Sequence, residues 1–463
     1  MKLLSASGLL LLVACSRGSY QHEDAPSGSG GGASTPDLPE NAEFALGAEF
    51  DGPCERSDAI DVNLGNAPES FVRAAYCQVN GVEPDAAVVS DWSQKLRTVA
   101  YVRRVDVVRS LCEAAARTCT LSYSDPWQEQ VSLTASCQRT GTRDVGAVLM
   151  FWSDCPNGAN CTMDWANTHT SGMNARHALF GFGDVAAGFY NPDNPGFWRR
   201  ELLDARWAGM QFLLPNTYGP DMAELPVLVD ALDDIGGGIQ IGMFDDTWGW
   251  GRGDSPPWNQ QPNMADVENS AQLIYQNKWK AFFQAIPEQY WYRVQERPFI
   301  YFYNAGTLKP QDQSSGVIAR MKQLFAADFG VEPFVAVDHA FFADDNTVNV
   351  ADSEFTWNTF SGNAMSLTNH HGVSHAHFMA KWDSLGRDSK GTIADGGDRI
   401  IKGPELLQQY LDASSTANVA VVATWNDLGE GTGINRNYDY YHQGQWLAPN
   451  HFLRVIRDAQ CSN

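Results

Sequence analysis

The sequence predicts an α/β protein, a (β/α)8 barrel of the TIM type over residues 141–463, preceded by a small N-terminal helical domain. Three observations predict it. Apolar, β-branched segments alternate with amphipathic ones along that stretch, as strands with helical crossovers do. Eight such strand candidates occur, the number that closes a barrel. Strand after strand ends in acids, amides and aromatic rings, and in a barrel those ends converge on one face.

The chain opens with Lys2, a short apolar core at 9–13, and the run Leu12-Val13-Ala14-Cys15. A basic start, an apolar stretch too short to span a bilayer and small residues before a cysteine resemble a bacterial lipoprotein signal, residues 1–15. The resemblance implies cleavage before Cys15 and acylation of that residue, the lipidation site. An ordinary secretory signal is the alternative. Ser16 follows where an acid would retain the protein at the inner membrane, so the resemblance implies the bacterial cell envelope, at the outer membrane. No later apolar run reaches ~20 residues, which leaves lipid as the expected membrane contact. Residues 16–43 are Ser, Gly, Pro and acid with almost no aliphatic side chains, a flexible tether.

Residues 44–140 are expected to form the small disulfide-containing helical module. Phe71, Ala74, Ala75 and Cys77 give a helical face that Gly81-Val82-Glu83-Pro84-Asp85 breaks; further helices fit 86–96 and 102–116. The order of these segments, with Trp92 between them, resembles a DUF4214-type repeat, which implies an accessory module without chemistry. Apart from Cys15, eight cysteines remain: Cys54, Cys77, Cys112, Cys119, Cys137, Cys155, Cys161 and Cys461. An even number in an exported chain argues for disulfides. Cys155 and Cys161 suit a small loop, and Cys461 is expected to staple the tail back. The pairing stays open.

The strand candidates are 145–152, 210–215, 239–244, 299–304, 333–338, 355–360, 374–380 and 419–425, with helices at 197–208, 222–235, 267–285, 315–329 and 404–413. A doubly wound open sheet is the alternative, but no Gly-rich phosphate fingerprint follows the first strand. The strand ends carry the candidate substrate-binding residues. They are Trp152 and Asp154; Asn216 and Tyr218; Asp245, Asp246 and Trp248; Tyr303 and Asn304; Asp338 and His339; Trp357; His377 and Lys381; Trp425 and Asn426.

The last strand is the most informative. It runs into Trp425-Asn426-Asp427, then Glu430 in a turn closed by Gly431, Thr432 and Gly433. Two carboxylates three residues apart beside an indole and an amide suit acid/base work on a sugar, one giving a proton and one taking it. Asp427 and Glu430 are therefore the candidate catalytic pair.

Three segments resemble glycoside hydrolase family 99, the endo-acting α-mannosidases and α-mannanases, more loosely family 71, and most closely the bacterial DUF5010 branch of that clan. Tyr190-Asn191-Pro192-Asp193-Asn194-Pro195 with the stretch 199–209 matches its YDPxDP opening; Arg297-Pro298-Phe299-Ile300-Tyr301-Phe302-Tyr303 matches its "grPvvfiY" strand. Trp425-Asn426-Asp427-Leu428-Gly429-Glu430-Gly431-Thr432 matches WNEWxEGT. The resemblance implies that Glu430 protonates the departing oxygen while Asp427 assists the sugar's 2-hydroxyl. The family has Glu where this chain has Asp427, and one missing methylene withdraws the carboxylate by ~1.5 Å. Activation of water by Asp427, with inversion, is the mechanistic alternative. A non-catalytic carbohydrate-binding or adhesion protein is the functional one.

With 55 acids against 32 bases, net −23, nucleic acid and anionic lipid surfaces are excluded as partners. A glycan is the expected partner, the chain is expected to be monomeric, and no cofactor is expected. His370, His371, His375 and His377 fit no zinc spacing, so no metal is assigned. Asp344, Asp345, Asn346 and Asp352 offer calcium-type oxygens but read equally as a solvated acidic loop.

Overall fold

A computed structural model describes residues 50, 52–62, 64–65, 67–98, 104–122, 137–150, 195–217, 225–251, 256–304, 306–357, 365–381, 403–427, 432–436, 440–443 and 445–462. The lipoprotein signal and tether, Cys155 and Cys161 lie outside the described residues.

Near the N-terminus, β1 (Ala59–Asp61) pairs in parallel with β2 (Thr120–Ser122) beside helices Pro68–Asn80, Ala86–Thr98 and Arg104–Ala114. Pro68 starts the first helix, where its missing N–H costs nothing, and Gly81 ends it at φ 72° with its N–H on the Cys77 carbonyl. Phe71, Val72, Ala75, Val107, Val108 and Leu111 form a core of their own there. Cys54–Cys77 and Cys112–Cys119 are paired.

β3 (Gln138–Arg139) and β4 (Asp144–Leu149) follow, then β5 (Phe212–Pro215), β6 (Gln240–Ile241), β7 (Met243–Asp246), β8 (Arg293–Val294) and β9 (Arg297–Tyr303). The later strands are β10 (Phe334–Asp338), β11 (Ser353–Phe355), β12 (Ser366–His370), β13 (Val373–Met379), β14 (Val419–Ala423), β15 (Tyr441–His442), β16 (Gln445–Trp446) and β17 (Cys461–Ser462). One sheet has the order β12-β13-β14-β4-β5-β6 and the other β11-β10-β9-β7, with β8 on β9. Pairing is parallel except for the β12–β13 and β8–β9 hairpins. Each of the eight predicted strands overlaps an observed one, β6 and β7 sharing a prediction. They form a mixed α/β fold with helices Pro195–Trp207, Leu225–Asp234, Val267–Ile274, Ser314–Phe329 and Pro404–Ala413 between them.

The sheets join on one side, where Asn216 bridges Phe244 and the Thr217 N–H reaches the Phe244 carbonyl at 2.9 Å. On the other side β11 and β13 share no ladder among the described residues; side chains connect them, with Ser353 Oγ and His375 Nδ1 3.0 Å apart. Among the described residues strand pairing does not run continuously around both sheets. Strand β11 is described at 353–355, where 355–360 was expected. The two sheets face each other through Tyr301, Phe355, His375 and His377; Tyr301 stacks on Phe355 at 3.6 Å and its hydroxyl lies 2.7 Å from His377 Nδ1.

The predicted helix 267–285 is divided. A π-helical segment, Tyr275–Trp279, interrupts the α-helix before it resumes at Lys280–Ala285. The wider turn shifts the helical phase and brings two consecutive residues, Lys278 and Trp279, onto β7. At the C-terminus β17 pairs with β3 and Cys461 bonds Cys137, so the tail is stapled as expected. No described helix is long and apolar enough to cross a membrane.

Candidate active site

Strand periodicity decides which strand-end acids face the space between the sheets. On β7, Phe244 and Asp246 point inward while Asp245 points to the helices. Phe244 packs against Tyr303 and Trp357, with ring centroids 5.8 and 5.0 Å away, and Trp357 lies 5.1 Å from Tyr303. These three rings form an aromatic wall, its Tyr303 and Trp357 half-buried. Asp246 stands one inward position above Phe244; the Trp248 N–H donates to its Oδ1 at 2.9 Å, and Asn216 Nδ2 lies 3.4 Å from its Oδ2. Burial raises its pKa, against the hydrogen bond from Trp248 and the charge of Lys278.

Asp338, the inward residue ending β10, accepts from the Ala340 N–H at 2.9 Å and the Trp357 N–H at 3.3 Å. Burial pushes its pKa up to about 6 despite those bonds. Its neighbour His339 turns outward, exposed, with Nδ1 2.5 Å from the Glu354 carboxylate.

Beyond β14 the chain makes a closed turn. The Asp427 N–H donates to Thr424 Oγ1 at 3.0 Å, the Asp427 carbonyl accepts from the Thr432 and Gly433 N–H groups, and the Thr424 and Thr432 hydroxyls meet at 2.9 Å. Asn426 stitches this turn to the end of β4: its Oδ1 accepts from the Met150 N–H at 2.6 Å and its Nδ2 donates to the Met150 carbonyl at 3.1 Å. The Met150 sulfur in turn lies 3.4 Å from Asn216 Nδ2. A chain of polar contacts therefore runs Asn426, Met150, Asn216, Asp246 around the strand ends. Asn216 Oδ1 is buried in it without a hydrogen-bond partner, an acceptor suited to a hydroxyl donor.

Several predicted contact residues are engaged by the protein's own groups. Asp245 is fully buried, with Lys278 Nζ at 2.7 Å and Trp279 Nε1 at 2.8 Å on its two oxygens, because it is the outward member of the Asp245–Asp246 pair. Trp425 is fully buried and gives its Nε1–H to Glu201, facing helix and not cleft. Both amide atoms of buried Asn426 serve the Met150 backbone. Asn304 Oδ1 accepts from Gly306 and Leu308 N–H groups, fixing the loop after β9. His377, expected to meet substrate or a carboxylate, is fully buried against Tyr301; burial holds its pKa, like that of His375, down to about 3. Lys381 is buried with its ammonium over the Tyr440 and Phe452 rings, 5.2 and 5.9 Å from their centroids. Of the calcium-type oxygens, Asp344 accepts from Ser315 and Asn346 N–H groups and Asp352 pairs with Lys322 at 2.9 Å. Glu430, Trp152, Asp154 and Tyr218 lie outside the described residues.

One cluster escaped the sequence reading. Glu201 and Asp204 on helix Pro195–Trp207 are both buried. Arg436 Nε pairs with Asp204 at 2.5 Å, and Asn435 Nδ2 lies 3.5 Å from Glu201 Oε2. Burial first, then the neighbouring Asp204 charge, raises Glu201 to about 8. The signal was present: Glu201 shares the i, i+3, i+4, i+7 stripe of Trp198, Leu202 and Ala205.

The model of the family described as a domain of unknown function, DUF5010, matches residues 134–459. The chain belongs to the DUF5010 family. Among solved structures, the GH99 endo-alpha-mannosidase from Bacteroides thetaiotaomicron is 14% identical to this DUF5010 chain, with TM-score 0.45, over 68% of this chain and 98% of that one. A glycoside hydrolase-like protein is 11% identical, with TM-score 0.45, over 71% and 97%. A GH138 enzyme targeting pectin rhamnogalacturonan II is 9% identical, with TM-score 0.34, over 76% and 52%. No curated protein matches the chain.

Proposed function

We propose that this DUF5010 chain is a glycoside hydrolase that cleaves a polysaccharide or glycan, with Glu430 as general acid and Asp427 as base or assisting carboxylate. One observation carries the reading: buried carboxyls end three parallel strands, Asp246 on β7, Asp338 on β10 and Asp427 just beyond β14, beside the wall of Phe244, Tyr303 and Trp357. Aromatic faces stack on the apolar faces of sugar rings, while carboxyls and amides take the hydroxyls. In this reading the eight strands act as one barrel and Asn216, Asp246 and Asp338 bind sugar hydroxyls. Glu430 gives its proton to the departing glycosidic oxygen as the bond to the anomeric carbon breaks. Asp427 takes the proton from the attacking oxygen, either the sugar's own 2-hydroxyl or a water. The enzyme works as a monomer, held at the bacterial outer membrane by lipid on Cys15, with the segment 16–43 as tether.

The test uses protein lacking residues 1–40, incubated with a broad glycan panel and assayed for new reducing ends. Cleavage of at least one glycan is expected, and Glu430→Gln should lower that rate by ~100-fold or more, the scale of losing a general acid. Full activity in Glu430→Gln would refute the assignment. Binding of a glycan without cleavage would favour the carbohydrate-binding alternative.

A further inference from the structure

We propose that Glu201 is a positioning residue for the acid-bearing turn, clamping both of its legs from the neighbouring helix. Its Oε2 accepts from Trp425 Nε1–H on the incoming leg and from Asn435 Nδ2 on the outgoing leg at 3.5 Å. Those legs are also tied to each other: the Ile434 and Asn435 N–H groups both reach the Trp425 carbonyl at 2.8 Å. Asp427 lies between them. Glu201 thus ties the two legs of the turn together at its base.

Charge explains why a carboxyl is tolerated there. Among the described residues the charged groups facing Glu201 are Asp204 on its own helix and Arg436 on the turn, and these two pair with each other. Burial first, and then the Asp204 charge, disfavours an ionised Glu201 and raises its pKa to about 8, so it holds its proton at neutral pH. A protonated acid accepts on one oxygen and donates from the other, as a glutamine amide does. This separates Glu201→Gln, which retains the clamp, from Glu201→Ala, which removes it.

The catalytic consequence rests on the glycosidase reading, but hydrogen exchange does not. In Glu201→Ala, amides of 424–436 should exchange roughly 10-fold faster or more than in wild type, the scale of losing one such hydrogen bond, while those of β9 and β10 hold. Glu201→Gln should restore slow exchange. The wild-type Tm should fall as pH rises from 5 to 8 more steeply than that of Glu201→Gln, whose buried amide does not titrate. With a cleaved glycan in hand, Glu201→Ala should lose kcat with little change in KM, and Glu201→Gln should recover most of it. Equal exchange rates in the 424–436 region of Glu201→Ala and wild type, a uniform rise across the molecule, or no rescue by Glu201→Gln would overturn the proposal. If no glycan is cleaved, the exchange and Tm measurements still decide it.

Discussion

Asp338 shows how one residue's surroundings set its protonation. Two backbone N–H groups favour its ionised form, yet burial outweighs them and raises the pKa to about 6. A carboxyl whose folded pKa lies above its unfolded value near 3.8 is fully tolerated below that value and destabilises the fold as pH rises through about 6. The span corresponds to a stability loss on the order of 2–3 kcal/mol between pH 4 and 6. Asp338→Asn should match wild type at pH 4, where the protonated acid offers one acceptor oxygen and one donor as the amide does, and should flatten this part of the profile. Urea denaturation at half-unit pH steps measures it; an unchanged slope would count against the buried-acid account. The part of any slope remaining toward pH 8 that Glu201→Gln removes belongs to Glu201.

At the scale of elements, the end of helix Pro195–Trp207 is bound to the disulfide that closes the domain. Gly209 sits at φ +80°, and a Cβ there would lie 2.8 Å from both the Cys137 and Cys461 sulfurs. Only a residue without a side chain satisfies the backbone and the cystine together. Gly209→Ala should cost about 2 kcal/mol or more, from strain at positive φ and from overpacking. Replacing both cysteines by Ala should cost about 2–5 kcal/mol by itself, because it frees a long loop in the unfolded chain. In that background the Gly209→Ala penalty should shrink toward its backbone part and the contact with Gln460 Cβ at 3.1 Å, a coupling readable from a double-mutant cycle of urea midpoints. Equal penalties in both backgrounds would show that the sulfurs are not what excludes the side chain.

The whole molecule joins an acidic, aromatic-lined domain to a proposed surface anchor. On the proposed tethering, a Gly/Ser coil the length of segment 16–43 would span ~25–30 Å, enough to hold a folded domain off a bilayer. The three cysteine pairs at Cys54–Cys77, Cys112–Cys119 and Cys137–Cys461 agree with an oxidising compartment. Fractionation of the native host should find wild type in the membrane fraction and Cys15→Ala released or unprocessed. Wild-type protein in the cytosol with its thiols open to alkylation would defeat both the anchor and the compartment.

Some of this was legible in the sequence because it depends on local pattern. Burial on both faces of parallel strands requires runs such as Val419–Ala423, and helices such as Pro404–Ala413 show their own start and periodicity, so strand order and most boundaries could be read. The strand-end acids were legible as a set. Which of them share a cleft was not, since that depends on which neighbour claims each side chain. Asp245 and Asp246 are adjacent and chemically alike. The π-helical turn sends Lys278 and Trp279 to the first, whereas the second shares the inward face with Phe244. Trp425 reads as a sugar platform until Glu201, 224 residues earlier, takes its N–H. Periodicity and composition follow from bonds along the chain, and so the sequence by itself determined them. Partners of buried polar groups come from distant segments that must each satisfy a donor or acceptor out of water, and those only the tertiary structure decided.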